Sequence, residues 1–241
     1  MLQSVLGFHA YLVLFARYKI RTLHHDQKEA DFFAFLKLLP DKGVILDIGA
    51  NLGIMTWHML RHFKKAAIWA FEPIPENNAV LLQVTANSDQ KRLRIFPLAL
   101  GEESGRTTMV LPEIDAVRMQ GLSHVLHESI EGFDDGREYE VDLSTIDALT
   151  QNQQVVGVKL DVENYEYYVL MGGVEMLKRC MPLIYMELWD NDNRQRCTEL
   201  LEGLGYQICY FNGKDLKPYR PEVYTGQNFF ALPKGDTRFI S

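Results

Sequence analysis

The chain predicts a doubly wound α/β fold: a mostly parallel, seven-stranded sheet with helices on both faces and an N-terminal helical extension. Three observations predict it. From Val44 onward, short apolar runs alternate with helical patterns. The runs are apolar at consecutive positions, as in strands covered on both faces. The first of them breaks into a glycine-bearing turn that opens directly into a helix.

Taken in order, residues 2–39 read as helix, carried by Leu2, Val5, Leu6, Tyr11, Leu12, Phe15, Phe32, Phe33, Leu36 and Leu39 and stopped by Pro40. Strands are expected at 44–48, 67–71, 93–98, 155–160, 183–188, 206–211 and 229–232. Helical patterns fall near 53–63, 76–87, 144–150, 165–179 and 192–203, so right-handed crossovers join the parallel strands. The last two strands, either side of a turn-rich stretch at 212–226, read as a terminal hairpin. Residues 105–143 break the alternation with two β-like runs, 106–111 and 139–143, around a polar loop. The implied division is an extension over 1–40 and a main domain over 41–241, with 105–143 as an insertion over the acceptor site.

Bulk properties narrow the classes of function. With 241 residues, 47% hydrophobic and 24% charged, the chain can bury one continuous core. A net charge of −7 argues against a nucleic-acid partner, because phosphate binding needs a basic surface. Cys180, Cys197 and Cys209 are odd in number and widely spaced, which gives neither a disulfide framework nor a zinc motif. A reducing, cytoplasmic setting is therefore expected. Residues 1–16 are largely apolar and uncharged, without a basic region ahead of them, and fall short of the ~20 residues a bilayer span needs.

The motif of greatest weight is Val44-Ile45-Leu46-Asp47-Ile48-Gly49-Ala50-Asn51-Leu52-Gly53. A strand, a Gly-x-x-x-Gly turn and a helix N-terminus in succession form a seat for an anionic ligand group. The spacing is neither the Gly-x-Gly-x-x-Gly of dinucleotide binders nor a P-loop, which disfavours an oxidoreductase. Phe71-Glu72-Pro73 ends the next strand, and its acid stands where a carboxylate can accept two ribose hydroxyls.

These residues, with Ala99-Leu100-Gly101-Glu102-Glu103-Ser104-Gly105 and Lys159-Leu160-Asp161-Val162-Glu163, resemble the FkbM-type methyltransferases, a branch of the class I S-adenosylmethionine-dependent fold. The resemblance runs from about Gly43 to Glu187. It implies methyl transfer from S-adenosylmethionine, most simply to a hydroxyl of a sugar, glycan or polyketide-like small molecule. It also implies cofactor contacts from Asp47, Gly49, Asn51 and Gly53 (methionine moiety), Glu72 and Pro73 (ribose), Ala99 and Leu100 (adenine), and Asp161 beside the sulfonium. The family's Glu-Gly-Ala-Glu is replaced here by Glu163-Asn164-Tyr165-Glu166. Rival readings are a nitrogen or carboxylate acceptor, or a cofactor-binding scaffold that has lost catalysis.

An alcohol acceptor must lose its proton as it attacks, so a base is required. Asp161, Glu163 and His124 are the catalytic candidates, with Glu166, Glu187 and Asp190 behind them. Asp161, Glu187 and Asp190 also offer oxygen ligands for a divalent cation. Trp189, Tyr165, Tyr167 and Tyr168 could form a platform for a sugar ring. Finally, the apolar residues of 1–20 spread around a whole helix, so they need cover on more than one side. A second copy of the chain is the preferred cover, and shallow contact with a membrane surface, Arg17, Lys19 and Arg21 near the headgroups, is the alternative.

Overall fold

The computed structural model describes residues 7–114, 117–118, 123–126 and 136–236. Helix α1 (Phe8–Thr22) opens the described chain, and two short 3-10 turns separate it from α2 (Ala30–Leu38). The single helix expected over 2–39 is thus interrupted, and its first residues, Leu2, Val5 and Leu6 included, lie outside the described part. Asp26 supplies the physical reason: its backbone is extended and its side chain accepts from the Lys28 N–H, an N-cap that ends one helix and starts the next.

The central frame follows the expected alternation. Strand β1 (Val44–Ile48) leads to α3 (Ile54–His62), β2 (Ala67–Phe71) to α4 (Pro75–Thr85), and then come β3 (Leu93–Phe96) and β4 (Ala99–Leu100). The 105–143 segment carries β5 (Gly105–Ile114), β6 (Val117–Arg118), β7 (His124–Val125) and β8 (Gly136–Ser144). After α5 (Ile146–Thr150) the frame resumes with β9 (Val155–Leu160), α6 (Glu166–Met171), α7 (Val174–Cys180), β10 (Leu183–Glu187) and α8 (Asp192–Gly203). Strands β11 (Tyr206–Phe211), β12 (Leu216–Pro218) and β13 (Asn228–Pro233) close the described chain.

The large sheet runs β3-β2-β1-β9-β10-β13-β11-β12. Strands β1, β2, β3, β9 and β10 are parallel, and β13 inserts antiparallel between β10 and β11. All seven expected strands are present. The sheet has eight, because β12 pairs with the free edge of β11. Three residues ending in proline carry no apolar alternation, so their pairing leaves no trace in the sequence.

Side chains on successive strand residues go to opposite faces, and both faces are covered. On one, Leu46, Ile48, Val158, Leu160, Ile184 and Met186 meet α6, α7 and α8 through Val169, Leu177 and Leu201. On the other, Ile45, Ile68, Tyr185 and Phe230 meet Phe32, Phe35 and Leu36 of α2 and Met59 and Leu60 of α3. Helix α1 sits outside this layer, packing Leu12, Val13 and Ala16 on Leu52 and Val80. The smaller sheet runs β4-β8-β5-β6, with β7 also on β5. It hangs from the large one at the end of β3, next to the carboxyl ends of β1 and β2. The chain's winding reverses between β1 and β9, which is where an open α/β sheet leaves a crevice for ligand.

Candidate active site

The crevice begins at the turn after β1. Gly49 has φ +76°, and a Cβ there would come within 1.8 Å of the Asp161 carbonyl oxygen, so glycine alone lets the ends of β1 and β9 converge. Gly53 is left-handed too and starts α3. A side chain at Gly53 would press on Leu81, 2.8 Å away.

Beneath the turn, Asp47 is fully buried, accepts from Thr56 Oγ1 at 2.5 Å and lies 3.7 Å from Lys159 Nζ. Lys159, 3% exposed, donates to the Gly49 carbonyl at 2.8 Å and pairs with Asp161 at 3.2 Å. Burial works against its ammonium, yet Asp161 and Asp47 outweigh that and hold its pKa above the ordinary lysine value. One buried cation therefore ties together the ends of β1 and β9. The motif Lys159-Leu160-Asp161-Val162-Glu163 assigns Lys159 no role by itself; a lysine inside the apolar run 155–160 is the signal in the sequence that points to this one.

Glu72, 4% exposed, closes the opposite wall. Its Oε2 accepts from the Asn51 N–H at 2.8 Å, and its Oε1 accepts from the Ile74 N–H at 2.8 Å and from Asn77 Nδ2 at 3.2 Å. Burial outweighs these donors and pushes its pKa up to about 7.

After β9 the chain makes a tight loop with two consecutive left-handed residues, Glu163 (φ 53°) and Asn164 (φ 76°). Such backbone persists only where the surroundings enforce it. Here the enforcer is Glu166, 1% exposed, whose Oε1 accepts from the N–H groups of Val162 (3.2 Å) and Asn164 (3.1 Å). Its Oε2 accepts from Asn193 Nδ2 at 2.7 Å, and Asn191 Nδ2 donates to Asn164 Oδ1 at 2.8 Å. Glu166, a reserve candidate for the base, is thus committed to holding the loop. Asparagine is among the non-glycine residues that best tolerate φ above zero. The Asn164 substitution therefore keeps the path a glycine would allow.

Around these groups lies a cavity of about 280 Å³, bounded by Gly49, Asn51, Glu72, Pro73, Leu98, Ala99 and Leu100 on one side and by Asp161, Val162, Glu163, Tyr165 and Glu187 on the other. Met109 and Val125 of the smaller sheet, with Ser123 just before β7, complete its wall. Burial, and then the charges of Asp161 and Glu187, raise Glu163 to about 9. Glu187, at the end of β10, is raised to about 7 by burial and by Asp161.

Most of the expected site residues converge here: Gly49, Asn51, Glu72, Pro73, Ala99, Leu100, Asp161 and Glu163. Three do not line the cavity. Asp47 faces Thr56 and Lys159 beneath the turn, and Gly53 packs on Leu81. His124 is buried while its neighbours Ser123 and Val125 line the wall, so strand alternation turns it to the other side. Of the aromatic platform, Tyr165 reaches the cavity and stacks on Tyr168 at 4.7 Å, while Tyr167 lies under Arg196 at 3.8 Å. The set Asp161, Glu187 and Asp190 is not gathered for a cation. Asp190 is paired with Arg194 at 3.0 Å in solvent, and among the described residues no three His, Cys, Asp or Glu side chains form a metal-holding group.

Comparison with known proteins agrees with this geometry. The sequence model of the methyltransferase FkbM domain matches residues 47–208. Methyltransferase sdnD of Sordaria araneosa is 24% identical over 213 residues, which are 78% of this chain and 81% of that protein. The crystal structure of methyltransferase FkbM from Methylobacillus flagellatus KT is similar in fold, with a TM-score of 0.52 at 17% identity over 80% of this chain. The present chain covers 44% of that longer one. With its motifs, strand order and crevice as described, the chain belongs to the FkbM methyltransferase family.

Proposed function

We propose that this methyltransferase moves the methyl group of S-adenosylmethionine to a hydroxyl of a small molecule, sugar or polyketide-like acceptor. The observation that carries the reading is the division of one cavity into two chemically different walls. Gly49, Asn51, Glu72, Pro73, Ala99 and Leu100 make a wall suited to an amino acid joined to a nucleoside; Asp161, Glu163 and Glu187 make a wall of carboxyl groups. When bound, the cofactor supplies an electrophilic methyl on a cationic sulfur. The residues present fit it, since Lys159 is already paired and the cavity is lined by carboxyl groups that a positive ligand would draw into their ionised form.

Each residue then has a task. Glu72 is held in place by three donors before ligand arrives and orients a ribose diol. Ala99 and Leu100 give the adenine an apolar flank. Lys159 fixes the Asp161 carboxylate so that it stabilises positive charge without swinging toward the methyl. An acceptor hydroxyl gives its proton to a carboxylate of the second wall, and Glu163 and Glu187 stand within the same cavity for this step. Once ionised beside a cationic ligand, the same groups repel an anionic acceptor, which favours hydroxyl over carboxylate methylation. The 105–143 segment contributes Met109, Ser123 and Val125 and covers the acceptor.

Calorimetry with S-adenosylhomocysteine tests the cofactor wall. Glu72→Gln is expected to weaken binding by ~1.5–3 kcal/mol, the range for a charged hydrogen-bond partner; unchanged affinity in a folded variant removes Glu72 from the site. Label transfer from S-adenosylmethionine across a panel of alcohols, amines and carboxylic acids tests the acceptor wall. Methylated carboxylic acids without methylated alcohols overturn the hydroxyl assignment.

A further inference from the structure

Helix α1 has one face too many. Its inner face, Leu12, Val13, Ala16 and Ile20, is buried against the domain. Its outer face carries Leu14 (52% exposed), Phe15 (42%) and Tyr18 (64%). Tyr11, Leu14, Phe15 and Tyr18 recur at helical spacing and form one stripe, with the Tyr11 and Phe15 rings stacked at 6.4 Å. Arg17 and Arg21 are exposed and run along the edge of that stripe, three and seven residues after Leu14. Lys19 turns away to Asp26, 3.3 Å distant.

The charge pattern narrows the occupant. The chain is acidic at −7, yet its first carboxylate is Asp26, so Arg17, Lys19 and Arg21 stand in a segment without one. An apolar, aromatic stripe edged by arginines, on a helix lying flat against its domain, has the composition that beds into the headgroup region of an anionic bilayer. No helix among the described residues is long and apolar enough to cross a membrane, so contact would be at the surface.

We infer that the outer face of α1 docks the protein on an anionic membrane surface, through Leu14, Phe15 and Tyr18 in the interface and Arg17 and Arg21 against phosphate-bearing headgroups. The placement bears on the acceptor. The inner face of α1 rests on Leu52, the residue after cavity-lining Asn51. The docking helix therefore packs directly against the turn that lines the cavity. An acceptor held in or on the bilayer is the class such an arrangement serves. That last step rests on the methyl-transfer reading, whereas the docking surface stands on α1 alone.

Flotation of the full chain with vesicles of phosphatidylcholine plus phosphatidylserine, against phosphatidylcholine alone, tests it. Flotation is expected with the anionic vesicles alone. Arg17→Ser and Arg21→Ser should each lower the bound fraction about five-fold, and the triple variant Leu14→Ser, Phe15→Ser, Tyr18→Ser should abolish flotation. All five positions are exposed, and unchanged melting with unchanged S-adenosylhomocysteine binding shows that fold and cofactor site are intact. A chain that stays in the dense fraction overturns the proposal, as does equal flotation with neutral vesicles. A solution dimer that the triple variant dissociates, with no flotation, assigns the face to a second copy instead. Loss of S-adenosylhomocysteine binding in the unmodified chain would sink the methyl-transfer reading while leaving the flotation result to stand.

Discussion

At the scale of single residues, the loop after β9 shows how a sequence departure can leave geometry intact. Asn164 occupies φ 76°, a conformation that costs an ordinary side chain ~1–2 kcal/mol. Asn164→Gly should therefore be nearly neutral in stability, apart from the lost contact with Asn191. Asn164→Ala should cost ~1–2 kcal/mol in urea unfolding. Equal stability of the two variants would show that the left-handed backbone is not what asparagine secures here. The same scale shows where a sequence stops being informative. Asp47, Glu72 and Asp161 each follow an apolar run, so their place at strand ends was legible. Which of them lines the crevice was not: Asp47 turns under toward Thr56 and Lys159, Glu72 turns into the crevice, and pattern alone treats them alike. The side to which His124 turns was not legible for a related reason, since the phase of a two-residue strand inside a polar segment cannot be read.

At the scale of elements, the legible strands were those buried on both faces, where continuous apolar residues leave little alternative. The missed features were governed by backbone and capping instead. β12 is a three-residue edge pairing, and the break between α1 and α2 rests on one aspartate while the apolar spacing runs on through Leu23. A second element-scale feature joins α4 to the smaller sheet. Glu76, in the first turn of α4, accepts from Arg137 Nη1 and from the Tyr139 hydroxyl on β8, both at 2.8 Å. This clasp holds the smaller sheet against the cavity. The variant Arg137→Ser, Tyr139→Phe is expected to lose only about 1 kcal/mol of global stability, since exposed pairs contribute little. Amide exchange in β5 and β8 should nevertheless quicken, because local opening draws on few other contacts. Exchange that remains at the original rate there would show that the clasp is not what keeps the sheet down.

At the scale of the whole molecule, the cavity sets a pH dependence with a definite sign. Glu72 and Glu187 are raised to about 7 and Glu163 to about 9. The folded chain thus keeps protons that the unfolded chain releases near the ordinary glutamate value of 4.5. Stability carried by these protonated groups is complete below that value and is lost as pH climbs through 7 and then 9. The melting temperature of the ligand-free protein should therefore fall between pH 7 and 9, and Glu163→Gln should flatten the decline. A melting temperature that rises over this window would contradict the burial described for Glu163. Bound cation should have the opposite effect, drawing protons off, so S-adenosylmethionine binding should release protons measurable as a buffer-dependent heat.

The same wall of carboxyl groups bears on what happens after each reaction cycle. Methyl transfer turns a sulfonium into a neutral thioether, so the spent cofactor loses the charge that the wall attracts. The wall is therefore expected to favour the reagent over its by-product. Competition titrations should show S-adenosylmethionine favoured over S-adenosylhomocysteine at low ionic strength. Added salt should narrow the gap as it screens the wall.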